Sequence, residues 1–178
     1  MLHKINITEQ AIKDAISYKE KIGKILGKLT GTRDYNQDRD YIGYMGEWIF
    51  NEFLKKYNCL GEVKWDNKMD GIGDHGDFFF DSKIIDIKTA SKQFHKNIMM
   101  PLKQFENHHS DFFVAVRLNL VEGYGEVMGY ITYDELKKVT PCDIGYGLTL
   151  AVSFNKLKPI NELIEQHILK KYGGELNG

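Results

Sequence analysis

The chain has 178 residues, of which 42% are hydrophobic and 28% charged, with a formal net charge of −1. This suits one globular domain with its own core, and it excludes a strongly basic, indiscriminate nucleic-acid binder, leaving a local basic patch as the way to hold a polyanion. No apolar run approaches the roughly 18 residues of a membrane span, and the stretch MLHKINITEQ lacks the apolar core of a signal peptide, so a cytoplasmic protein is expected.

Residues 7–26 read as a helix, with Thr8 as N-cap and Ile12, Ala15, Ile16, Ile22, Ile25 and Leu26 at helical spacing. Its lysines suit a solvated face. Residues 27–38 read as a polar loop leading to a second helix over 39–57, whose apolar stripe is Ile42, Met45, Ile49, Phe50, Phe53 and Leu54. Glu47 falls at the border of that stripe, where an acid either looks inward or is solvated at the rim. Gly43 and Gly46 each weaken a helix by roughly 1 kcal/mol relative to alanine, so close backbone packing is expected around them.

EVKWD, residues 62–66, alternates as a strand does. The following loop contains Gly71, Gly73 and Gly76 in dinucleotide-fingerprint spacing, but a strand follows where the fingerprint needs a helix N-terminus. A calcium loop through Asp66, Asp70 and Gly71 fails because Lys68 stands at its third position and Asp77 at its last. Asp74 and His75 read as exposed loop residues close to whatever the next segment builds.

That next segment, GDFFFDSKIIDIKTA over 76–90, reads as a β-hairpin turning at Asp81-Ser82. A two-residue loop sets Phe80 opposite Lys83, Phe79 opposite Ile84 and Phe78 opposite Ile85, and by extension Asp77 opposite Asp86. Alternation then gathers Asp77, Asp86 and Lys88 on one face, with Phe78, Phe80, Ile85 and Ile87 on the other. Adjacent carboxylates repel, and a divalent cation relieves them; hard oxygen donors at this spacing suit Mg2+, with Mn2+ as a substitute. The competing reading is a surface ladder in which Lys88 merely neutralises two solvated aspartates.

Asp77 followed by Asp86-Ile87-Lys88, with Glu47 on the preceding helix, resembles the bipartite signature of the PD-(D/E)xK nuclease superfamily, the restriction-endonuclease-like fold. Gly76 stands where the motif has its proline. The resemblance implies an α/β domain with a central mixed sheet flanked by helices in αβββαβ order, its core over 39–132. It also implies metal ligation by Glu47, Asp77, Asp86 and the Ile87 carbonyl, and assistance to the nucleophile by Lys88. Gln104 resembles the helix glutamine that some branches carry after the D-x-K strand, and so joins the expected catalytic set.

Lys92, His95, Lys96 and Lys103, with His108 and His109 beyond them, form a local excess of positive charge along which a nucleic-acid backbone could run. Pro101 suits the first position of a helix reaching His109. FFVAVRL, 112–118, reads as a buried strand and residues 126–131 as another. Thr132 and Glu135 form a capping box for a helix to Val139, LTLAVSF is strand-like after a DIGYG loop, and Pro159 opens a last helix ending near Gly173. Cys59 and Cys142 follow no metal spacing and read as free thiols.

The chain is therefore expected to be one domain, 1–178, with helices 7–27 and 159–172 added to the core. Its expected activity is Mg2+-dependent hydrolysis of DNA phosphodiesters, with RNA left open and a homodimer possible. A catalytically silent nucleic-acid-binding subunit of the same fold is the alternative.

Overall fold

The computed structural model describes residues 3–30, 37–59, 61–66, 76–145 and 147–169. In chain order they form β1 (His3–Asn6), α1 (Glu9–Thr30), α2 (Gln37–Lys56), β2 (Lys64–Trp65), β3 (Phe78–Phe80), β4 (Lys83–Ala90) and β5 (Asn97–Pro101). Then come α3 (Leu102–Asn107), β6 (Phe112–Asn119), β7 (Tyr124–Thr132), α4 (Tyr133–Leu136), β8 (Cys142–Asp143), β9 (Leu148–Ser153) and α5 (Ile160–Leu163), which runs on as a π-helical turn, Ile164–Ile168. The result is an α/β architecture: a mixed sheet ordered β1-β7-β6-β4-β3-β2, flanked by helices, and a small antiparallel sheet ordered β5-β9-β8. Among the described residues no helix is long and apolar enough to cross a membrane.

The large sheet is covered on both faces, and β6 shows why its sequence is almost continuously apolar. Phe112, Val114, Val116 and Leu118 belong to one core with Met45, Ile49, Phe50 and Phe53 of α2. Phe113 and Ala115 belong to a second core with Ile98 and Met100 of β5, Leu150 and Val152 of β9, and Phe105 of α3. A strand buried on both sides has no polar face to alternate with. Its pairing with β7 shifts register between Ala115 and Val116, and Gly129 sits at that irregularity with φ +146. A Cβ there would lie 2.5 Å from the Lys158 carbonyl oxygen, so the close approach of the Lys158 backbone, bonded to Tyr130, requires glycine.

Several boundaries differ from expectation. Thr8 does cap α1, its hydroxyl accepting from the Ala11 N–H at 3.1 Å, but the helix continues to Thr30 and consumes the start of the expected loop. Over residues 9–21, where its side chains are described, the buried positions are Ala11, Ala15 and Tyr18, whereas Ile12 and Ile16 are exposed; the expected Ile22, Ile25 and Leu26 side chains lie outside the described ones. Small alanines let the helix seat closely, and that rotates the isoleucines outward. The capping box forms with both of its hydrogen bonds, yet α4 ends at Leu136. Pro101 is the N-cap of α3 rather than its first residue. Strand β5 was not expected at all. The last helix turns π-helical at Ile164, and its expected end lies outside the described residues. Cys59 is buried and Cys142 exposed, and both are free thiols.

Candidate active site

The hairpin has the expected register: Phe80 pairs with Lys83, Phe79 with Ile84 and Phe78 with Ile85. Its two-residue loop places Asp81 at φ 42 and Ser82 at φ 65, the left-handed pair that matches strand twist in a tight hairpin. Beyond Phe78 the simple count fails. The Asp77 N–H donates to the Ile85 carbonyl at 3.0 Å, although Ile85 is already the partner of Phe78. Two consecutive residues thus face one, a β-bulge that re-aims the Asp77 side chain, and Asp77 does not simply oppose Asp86.

The bulge turns Asp77 along the sheet. Its Oδ2 accepts from the Ile87 N–H at 2.6 Å, taking the place of a ladder carbonyl, and the residue is 5% exposed. A backbone donor to a carboxylate is a strong, charge-assisted bond, so Asp77 is held firmly. From Asp86 to Ala90, among the described residues, β4 has β6 as its ladder partner and an open edge on the β3 side. The Ile87 carbonyl faces that open edge, because carbonyls two residues apart on a strand point the same way and that of Ile85 is bonded to Asp77.

Asp86 and Lys88 project from β4 on the face opposite Ile85 and Ile87. Lys88 Nζ lies 2.8 Å from Asp86 Oδ2, both side chains about 15% exposed. Burial pushes the Asp86 carboxyl up to about 6 against the pull of Lys88, and the Asp77 carboxylate, within hydrogen-bonding reach, adds to the rise. Two acids and one amine share a largely desolvated corner, so this is no solvated surface ladder.

Glu47 comes to this region from α2, 7% exposed, its Oε2 accepting from Trp65 Nε1 at 2.9 Å. Trp65 stacks on Phe78 with ring centroids 5.8 Å apart, so one aromatic pair stands between the glutamate and the bulge. Helix and strand approach closely here: a Cβ on Gly46 would lie 1.8 Å from Thr89 Oγ1, which explains that glycine, whereas a Cβ on Gly43 would meet nothing within 4 Å.

Among the described residues no three His, Cys, Asp or Glu side chains stand close enough together to hold a metal ion; Asp77 with Asp86 is the pair that closes. Asp70, Asp74 and His75 lie outside the described residues. The donor set of two carboxylates and a carbonyl at one strand edge is all hard oxygen, which fits Mg2+ or Mn2+.

Gln104 is half-buried on α3, which packs against β5 and β9, and no hydrogen bond joins it to Asp86 or Lys88. Lys92, His95 and Lys96 occupy the turn from β4 to β5 and Lys103 lies on α3; the three lysines are exposed and His95 is partly buried. His109 is drawn against Tyr133, ring centroids 4.4 Å apart. Sequence reasoning missed Trp65, whose indole holds Glu47, although a tryptophan in a short strand just before the acidic loop was a visible signal. It also missed Arg117, which pairs with Glu126 at 2.7 Å and reaches the Gln93 carbonyl at 3.4 Å. No local pattern announces that contact. No family model, curated protein or solved structure matches the chain.

Proposed function

We propose that the protein is a metal-dependent nuclease that hydrolyses DNA phosphodiester bonds at the Asp77–Asp86–Lys88 corner. The observation that carries this reading is the convergence of two mostly buried carboxylates with the Lys88 ammonium, 2.8 Å from Asp86, at an open strand edge. Strand order gives further support. The four strands β2-β3-β4-β6 pair antiparallel, antiparallel and parallel, with α2 before them and α3 in the crossover to β6, an arrangement similar to the restriction-endonuclease-like core.

In this reading Asp77, Asp86 and the Ile87 carbonyl hold the cation, and Glu47, which the Trp65 indole holds apart from that pair, acts on it through water rather than as a direct ligand. The chemistry a bound divalent cation supplies is polarisation of a phosphoryl oxygen and a more acidic water. Asp77 is positioned in advance by the Ile87 N–H, so little reorganisation is needed at the moment of binding. Lys88 presents its ammonium to the phosphate and orients the attacking water, and its salt bridge to Asp86 keeps the side chain extended toward the carboxylates. Low solvent exposure strengthens each of these interactions.

Incubation of supercoiled plasmid and of single-stranded oligonucleotides with and without Mg2+ tests the reading, since only a nuclease makes new ends when the metal is added. Lys88→Ala is expected to fold and to cut slower by two or more orders of magnitude, roughly the contribution of a general acid-base group. Parent-like cutting by that variant, or no metal-dependent cutting of any substrate, would sink it.

A further inference from the structure

Between β4 and β5 the chain makes a turn that displays an aromatic ring. Phe94 is 71% exposed at its tip. Single exposed apolar residues are ordinary, but this one is held out by structure on both sides. The turn closes with the His95 N–H donating to the Lys92 carbonyl at 3.0 Å. Before the ring, Gln93 is tied twice: its carbonyl accepts from Arg117 Nη1 at 3.4 Å, and its amide donates to the Tyr124 hydroxyl. Arg117 is itself locked by Glu126 through Nε at 3.2 Å and Nη2 at 2.7 Å. After the ring, the Lys96 carbonyl accepts from the Phe154 N–H at 2.8 Å. These bonds fix the backbone of the turn on both sides of Phe94.

The ring has charged company. Lys92 Nζ lies 5.6 Å from its centroid, and the His95 imidazole meets it edge-on at 4.9 Å. Beside it is a cavity of about 250 Å3 whose wall includes Lys88, Ser91, His95, Asn97 and Met99. Lys88 is thus shared between this cavity and the carboxylate corner.

We infer that Phe94 is a stacking platform for an unpaired nucleobase next to the scissile phosphate, with the adjoining cavity receiving that nucleotide; the substrate is therefore single-stranded nucleic acid or a frayed end rather than an intact duplex. This rests on the nuclease reading and narrows its substrate. Every base has a π-face, so an aromatic platform binds with little regard to sequence. In a duplex both faces of each internal base are covered by neighbours, and an exposed ring finds a free face only where the strand is open. Lys92 lies against the ring and the exposed Lys96 follows two residues on in the same turn, so both are available to the phosphates of the strand whose base stacks there. Ser91, Asn97 and His95 supply polar groups for the base edge or sugar.

The test is fluorescence anisotropy of the full chain with a labelled deoxythymidine oligonucleotide and with a blunt duplex, in Ca2+ to hold the complex without turnover. Phe94→Ala is expected to weaken single-strand binding roughly 5- to 150-fold, the loss of one base–aromatic stack, and to change duplex binding by less than about twofold. Phe94→Trp is expected to restore it. A fluorescent purine analogue in the strand is expected to be quenched by the parent and by the tryptophan variant but not by alanine, a readout that a merely structural role would not move. Equal affinity of parent and Phe94→Ala for the single strand, or equal loss on both substrates, overturns the inference while metal-dependent cutting keeps the nuclease reading. If the parent binds neither substrate and cuts neither with Mg2+, both readings fall.

Discussion

Asp86→Asn separates the cost of the acidic corner from its use. In metal-free protein Asp77, Asp86 and Lys88 sum to one negative charge with little water to screen it. Asparagine keeps the shape, since its oxygen still accepts from Lys88 and its amide donates to Asp77, and the sum falls to zero. The sign follows from linkage. The Asp86 carboxyl rises from 3.8 to about 6 on folding, so between those values the folded chain binds more protons than the unfolded chain, and stability falls as pH rises through the window. Above the window the penalty is at most roughly 3 kcal/mol, at about 1.4 kcal/mol per pH unit. The variant is therefore expected to be more stable than the parent at about pH 8 by roughly 1–3 kcal/mol and nearly equal to it at about pH 4. In thermal unfolding with a chelator, a chain of this size gains about 2–4 °C per kcal/mol. Added Mg2+ is expected to raise the melting temperature of the parent and not of the variant, which should not cut. A variant less stable than the parent at the higher pH, or a difference that does not change with pH, would refute the charge conflict.

Lys92→Glu with Lys96→Glu is expected to weaken nucleic-acid binding and flatten its salt dependence, each lost phosphate contact removing close to one unit of slope, while metal-dependent stabilisation is unchanged; anisotropy across a salt series reads both. Gly46→Ala is expected to destabilise by roughly 1–3 kcal/mol because its Cβ meets Thr89 Oγ1 at 1.8 Å. Thr89→Ala in the same chain should recover part of that in urea unfolding, since the hydroxyl is buried without a hydrogen-bond partner. Glu47→Gln keeps an acceptor for Trp65 but loses the charge, and is expected to raise the Mg2+ concentration for half-maximal cutting roughly tenfold or more. An unchanged metal requirement would show that Glu47 has no part in the metal site.

What could be read in the sequence was what neighbours in the chain determine. The hairpin register followed from a two-residue turn, and the Thr132–Glu135 box from a spacing of three. The bulge at Asp77 escaped because counting outward from a turn assumes that the ladder continues, and only Gly76 with φ +119 hints that it does not. Strand β5 escaped for a different reason. Its partner β9 lies about fifty residues on, and Met99 is exposed beside buried Ile98 and Met100, so three apolar residues in a row hid a true alternation. In α1 the large side chains suggested one face while the alanines chose another. Trp65 acts on a helix residue 18 positions back and Arg117 on the Gln93 carbonyl 24 positions back, contacts that no local periodicity specifies.

The strand β1 pairs with β7, His3 against Val127, so the earliest described residues wait for some of the later ones before they find their place. During synthesis β1 leaves the ribosome with no edge to join, and the six-stranded sheet closes only after β7 has emerged. Pairings this distant belong to topologies that fold in milliseconds to seconds. The hairpin of β3 and β4 needs only its own loop, and such hairpins form in roughly 1–10 μs. The two aspartates are thus brought near each other early, while water still separates their charges, and the repulsion between them grows as the rest of the sheet closes and excludes solvent.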